Sequence, residues 1–510
     1  MKGFIYKRTV SALFIILLSC MTLPVFGQEA DLPGDVTPDE ITVTEKTDET
    51  KEKSRFRNVN IDARMMYGQY NNLFSAFSII QNYDRFTYQL NSDLKRSNDF
   101  GYKNSSFYES EIGFTGKGEI TESWKLLPQI EVNNESHGMF TNSNYSREEK
   151  DRIIIAFKNE YKPTPSRWDI NFGGGQYVHR LVSAKSVDVI SSDFHKINGE
   201  LGWEYIWSAS NRVRLDSRVA FYEYSSSGVD NDYFITNELT GSFKLTEYIK
   251  FMLGPVLSWN HDDDLFISGK IDVSLSGMKN YSLGASYSYD LIPFTPEDFY
   301  FEKKYIRPSY NLPPAKVHHA EIRSGVEFSF GKGSGFSVNK VRLRGSGIHE
   351  RNNNYYNHYT YYNELSQPED VLSAEPVPVD SIRFRADGIV DLSIFRRELK
   401  VEINYEYAGY SSDQNITYQP AHQFGGTLNF RENGWEIELT NSLMSSVYVE
   451  PDDDRKLDSV FYGTFSLQLK VFETFYIYGK IDNLYDSAYS YRDGYPEPGR
   501  TYLAGLRIIL

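Results

Sequence analysis

The last thirty residues, Ile481 to Leu510, read IDNLYDSAYSYRDGYPEPGRTYLAGLRIIL, and the fold is decided there. Two stretches that alternate apolar and polar residues flank a connection rich in Tyr, Gly and Pro. The chain stops on the second stretch. There Tyr502, Ala504, Leu506, Ile508 and Leu510 fall on one side, and Leu503, Gly505, Arg507 and Ile509 on the other. A period of two marks a strand whose faces meet different surroundings. A strand that ends a chain leaves a bare edge unless the sheet closes on itself. The expectation is a closed barrel, with Tyr502 to Leu510 sealing against a first strand near Val59 to Met66.

The rest of the chain repeats that texture. From Leu399 to Tyr410, Leu399, Val401, Ile403, Tyr405 and Tyr407 oppose Lys400, Glu402, Asn404 and Glu406. Trp435, Ile437 and Leu439 oppose Glu436, Glu438 and Thr440 in the same way. From Ser381 to Ile394, Ile382, Phe384, Val390, Leu392 and Ile394 face away from Arg383, Arg385, Asp387 and Asp391. Phe465, Leu467, Leu469 and Val471 oppose Thr464, Ser466, Gln468 and Lys470. Strands this long exceed the roughly five or six residues usual in sandwiches. With 39 Tyr, 33 Phe and a mean hydropathy of −0.50, the composition suits a barrel in which only alternate residues meet lipid. The net charge of −15 argues against a nucleic-acid partner.

Connections alternate between tight turns, such as Thr121-Glu122, Thr246-Glu247, Glu432-Asn433-Gly434 and Glu473-Thr474, and longer polar stretches. The longest of the latter are 293–316, 351–378 and 485–499. Short turns on the periplasmic side and long loops outside are how outer-membrane barrels are built. The count is about 22 strands, or 20 if the pair near 58–68 and 72–82 is not real. The fold class is thus all-β: a closed antiparallel transmembrane β-barrel.

Ahead of it, Lys2, Lys7 and Arg8 precede an apolar run, and Val25-Phe26-Gly27 offers a cleavage site, so 1–27 reads as a signal peptide. Cys20, the single cysteine, follows Leu17-Leu18-Ser19, and lipidation there is the competing reading. Residues 28–55 are polar and charged and read as a flexible periplasmic tail, leaving 56–510 for the barrel.

With those features in hand, the stretch Ile481-Asp482-Asn483-Leu484-Tyr485-Asp486, followed by Pro498-Gly499-Arg500, resembles the C-terminal signature of TonB-dependent outer-membrane receptors. In the tail, Glu40-Ile41-Thr42-Val43-Thr44 resembles the TonB box. The resemblance implies a 22-stranded barrel, partnership with a TonB-type energy transducer, insertion into outer-membrane lipid by the barrel-assembly machinery, and substrate uptake. It also implies a plug domain, yet only about ten residues separate Glu45 from the first strand. The expectation is a receptor barrel without its plug, served by a separate plug or lipoprotein partner. The alternatives are a passive porin or export channel, or a surface adhesin whose loops do the work.

No catalytic constellation, cofactor motif or metal set stands out. His318-His319 are adjacent and point to opposite faces of a strand. His261-Asp262-Asp263-Asp264 and Asp452-Asp453-Asp454 read as solvated loop tips, and Gly173-Gly174-Gly175 as a bend within a strand. The ligand-loop candidates are Tyr355, Tyr356, His358, Tyr359, Tyr361 and Tyr362, in a Tyr/Asn composition typical of binding loops. A second basic-aromatic segment carries Tyr300, Lys303, Lys304, Tyr305 and Arg307. Arg342, Arg344, Arg383, Arg385, Lys400, Glu402 and Glu406 are expected to line the lumen.

Overall fold

The computed structural model describes residues 59–510, except 84, 99–104, 140–144, 185–188, 209–210, 226–230, 261–264, 276–279, 294, 296–313, 331–335, 363–367 and 395–396. The expected leader with Cys20, the segment carrying Glu40 to Thr44, His261 to Asp264 and the Phe299 to Tyr310 segment lie outside the described residues.

Twenty-two strands form one antiparallel sheet in which each pairs with its chain neighbours, and the last, Thr501–Ile509, pairs with the first, Val59–Gly68. The register at closure runs from Asp62 opposite Ile509 to Gly68 opposite Leu503. The sheet has no free edge, and both strands near the N-terminus are present. Backbone bonds tie the seam's end, with the Ile61 N–H donating to Leu510 O and the Leu510 N–H to Ile61 O, each at 2.9 Å.

The faces fall as alternation demands. Ile267, Ile322, Leu343, Phe384, Ile403 and Leu506 stand exposed on the outer surface, Ile267 at 66% and Ile322 at 64% of full accessibility. In water that would be an aggregation surface; around a closed barrel it is a lipid belt. Trp124, Trp207, Tyr248, Tyr281 and Phe472, beside the tight turns, are exposed too, as an aromatic girdle requires. These features place the barrel in an outer membrane.

Two expectations need correction. Residues 351–378 are not a long irregular loop. The fifteenth strand runs unbroken from Phe336 to Tyr362 and the sixteenth from Pro368 to Ile394, 27 residues each. A membrane crossing takes about 9–11 residues, so the two continue beyond the bilayer as a ribbon. The strict alternation of tight and long connections also fails. The first outer connection is a single 3-10 turn, Gln69–Asn71, with Tyr70 and Asn71 at positive φ. The triple glycine lies in continuous register, with Gly173, Gly174 and Gly175 paired on both sides without a bulge.

Candidate functional site

The C-terminal motif is a fastener. Asn483 and Asp486 have φ values of 49° and 55°, a conformation Asn and Asp tolerate better than other non-glycine residues. The Asn483 side chain, 1% exposed, donates to Ser487 O at 2.9 Å and Pro498 O at 3.2 Å and accepts from the Ser487 N–H at 3.0 Å. The Asp486 carboxylate accepts the Arg500 N–H at 2.8 Å. A Cβ on Gly499 would stand 3.0 Å from that same oxygen. The Leu484 N–H donates to Gly463 O at 2.7 Å. Tyr485 lies on the outer wall, stacked on Phe461 at 4.5 Å and donating to Asn441 at 2.7 Å, over Gly463, where a Cβ would meet its ring at 2.5 Å. The motif residues therefore close one outer loop and clamp it to the barrel.

Inside, alternation turns charge toward the bore. Arg385 grips Glu406 with two bonds of 3.0 and 3.2 Å, and Lys400 pairs with Glu402. Arg342 approaches Asp387 at 3.8 Å. Higher up, Glu350 gathers four donors: Arg383 at 2.7 Å, Asn353 at 3.0 Å, His319 at 3.1 Å and Ser381 at 3.4 Å. A buried carboxylate so saturated fixes the root of the tall ribbon to the fourteenth strand, Ala315–Ser329. His318 faces the other way, stacked on Tyr289 at 4.0 Å and bonded to Tyr287 at 2.8 Å.

The ligand-loop candidates separate. Tyr355 packs edge-on against Tyr410 at 4.9 Å and donates to Ser381 at 3.5 Å, so it belongs to the Glu350 network. His358 is buried: its backbone N–H donates to Thr417 Oγ1 at 2.8 Å and its ring sits across Tyr418 at 5.5 Å. Neighbouring Asn357 accepts the Thr417 N–H at 2.9 Å and donates to Asn415 O at 3.0 Å. Tyr356, Tyr359, Tyr361 and Tyr362 lie on the ribbon's strand, with side chains outside the described residues. Asp452 and Asp454 are exposed, while Asp453 caps its own turn through the Arg455 N–H at 3.2 Å. Among the described residues no group of three or more His, Cys, Asp or Glu side chains could hold a metal ion.

Two inner features were missed in the sequence. Tyr177, Phe194, Tyr222 and Tyr224 form a buried aromatic cluster, Tyr177 and Phe194 stacked at 4.7 Å. Above it Glu148, fully buried, meets His179 at 2.9 Å and Lys150 at 3.5 Å. All sit at inward positions of alternating strands. Their mutual contact depends on register, which alternation alone does not supply.

A 22-stranded wall with a lipid belt, a charged interior and polar outer connections defines the class: a large transmembrane β-barrel of the outer membrane. Comparison with solved structures narrows the fold. The siderophore receptor PirA from Acinetobacter baumannii matches with a TM-score of 0.66 at 10% identity, over 89% of this chain and 80% of that one. The FrpB iron transporter from Neisseria meningitidis (F3-3 variant) gives 0.65 at 8% identity over 90% and 82%. The copper transporter OprC gives 0.64 at 10% identity over 89% and 80%. The barrel thus has the fold of TonB-dependent siderophore and metal receptors. The sequence itself matches no protein-family model and no curated protein.

Proposed function

We propose that the chain is an outer-membrane uptake barrel of the TonB-dependent type whose gate is not part of its own barrel domain. The observation that carries this is the inner wall. Its charged groups face a lumen that barrels of about 22 strands leave wide enough to need a plug, and every described residue belongs to the wall or its connections. The solved relatives are transport receptors for iron, siderophores or copper by name. In this reading 1–27 is a cleaved leader, and 28–55 is a periplasmic tail. Glu40 to Thr44 engage a TonB-type transducer, and a separate chain closes the bore.

Single-channel recording on the purified full-length protein tests the open bore. Large, steady conductance is expected; a barrel that stays shut overturns the reading of a missing gate. Capture of the energy transducer by residues 28–55 tests coupling. Binding should vanish when Ile41 and Val43 are replaced, and absent or mutation-insensitive binding removes the TonB-box assignment in favour of a passive channel.

A further inference from the structure

Most inward arginines of the fourteenth to sixteenth strands are held by acids: Arg323 by Asp272, Arg385 by Glu406, Arg383 by Glu350. Arg344 is not. It stands exposed to the bore in mid-strand and makes no hydrogen bond or ion pair with any described residue. Two positions away on the same face, Arg342 meets only the loose Asp387 contact at 3.8 Å, and its Nε–H is buried without an acceptor. Around these two cations the wall is cut back. Ser282, Gly284 and Ser346 occupy inward positions and leave a recess of about 580 Å³, lined also by Arg323, Arg344 and Arg385 and by three carboxylates, of which Asp272 and Glu321 face Arg323 and Asp387 faces Arg342. An adjoining recess of about 390 Å³ carries Gly325, Arg342 and Arg344. It also holds Glu327, which Lys340 retains at 2.9 Å.

We propose that these recesses form an oxyanion subsite on the solute path, in which Arg344 and Arg342 hold a carboxylate or phosphate group of the transported solute. The guanidinium fork matches both groups in planar, paired hydrogen bonds. A cation beside the low-dielectric wall and lacking a partner gains more from an anion than one already paired. The subsite rests on the reading of the bore as a solute path and adds the chemical class of what travels through it.

Calorimetric titration of the full-length protein in detergent with pyrophosphate, and separately with tricarballylate, tests it. Both are expected to bind, and the tighter one assigns the group as phosphate or carboxylate. Arg344→Gln should weaken both by about tenfold or more, the loss of a charge-assisted contact. Arg344→Lys should recover part of the affinity, and Arg342→Gln should weaken binding independently. Lys158→Gln, which removes another exposed cation from the inner face of the distant sixth strand, Tyr145–Tyr161, should change nothing. No titration of either anion, unchanged affinity in both arginine variants, or an equal loss in Lys158→Gln overturns the site. Anion binding by a barrel that passes no current would refute the transport reading while leaving the subsite standing.

Discussion

Arg507 donates from Nε and Nη2 to the two carboxylate oxygens of Asp62 at 2.9 and 2.6 Å, joining residues 445 positions apart across the seam where the last strand meets the first. Its Nη1 also reaches Gln468 at 2.8 Å, two strands back. The pair is inward-facing and partly open to solvent, with Asp62 at 40% exposure, so its net worth is at the lower end for a bidentate contact. Unfolding in urea, followed by gel mobility of unheated samples, should show a coupling of about 1 kcal/mol in the double-mutant cycle of Asp62→Ala and Arg507→Ala. The charge-swapped double variant should fold better than either single reversal. Additive single effects would mean that the seam is held by backbone pairing alone.

The seam's backbone leaves less tolerance. A Cβ on Gly505 would lie 2.0 Å from Met65 O and 2.7 Å from the Met66 Cα. Because backbone rather than side chain is in the way, Gly505→Ala should block closure and reduce the folded, fast-migrating species to a minor fraction. Ala504→Gly, one residue away on the lipid side, should leave that species intact.

Asn483 combines a positive φ with three hydrogen bonds, and the two contributions can be parted. Asn483→Gly keeps the conformation and loses the bonds; Asn483→Ala loses both. The expected losses are about 2 kcal/mol for glycine and about 1 kcal/mol more for alanine. Equal losses would show that the backbone conformation carries no cost.

Burial pushes the Tyr418 hydroxyl up to about 12, in the outer connection between the seventeenth strand, Arg397–Ser411, and the eighteenth, His422–Glu432. Folding therefore favours the neutral phenol. The contact of this connection with His358 should be intact below about pH 10, the ordinary tyrosine range, and fade as pH rises towards 12. Tyrosinate absorbance of wild type minus Tyr418→Phe measures the late-titrating group. A difference titrating near pH 10 would contradict the buried placement.

The tall ribbon should be open to attack from outside. Protease added to intact cells is expected to cut between 351 and 378 and spare the tight turns such as Glu432-Asn433-Gly434. Cleavage confined to permeabilised cells would invert the assigned orientation.

Much of this architecture was legible in the sequence because lipid on one side and water on the other impose a period of two. The faces of Leu399 to Tyr410 and of Tyr502 to Leu510 follow from that constraint alone, and so does the partner of the last strand. The ribbon was not legible, since Asn352 to Asn354, Pro376 and Pro378 argue against a strand. The two prolines are two residues apart, so their missing N–H groups fall on one side of the strand. At that height the sixteenth strand's only ladder partner among the described residues is the fifteenth: its pairing with the seventeenth, Arg397–Ser411, ends at Asp380 opposite Ser411. Proline costs little where no ladder bond is due. The Glu350 network was hidden for another reason. His319, Glu350 and Arg383 come from three strands, and only their relative register brings them to one carboxylate.

Beyond Arg351 the fifteenth strand has likewise lost its other neighbour, the fourteenth, so among the described residues the projecting ribbon is two strands wide with no sheet on either flank. Unpaired flanks of that kind recruit strands from other chains. Thr417 occupies one such position by taking the His358 N–H, and the prolines at 376 and 378 blank out two more donors. At these three positions the ribbon offers no free donor through which a neighbouring copy crowded in the same membrane could stitch its own ribbon on.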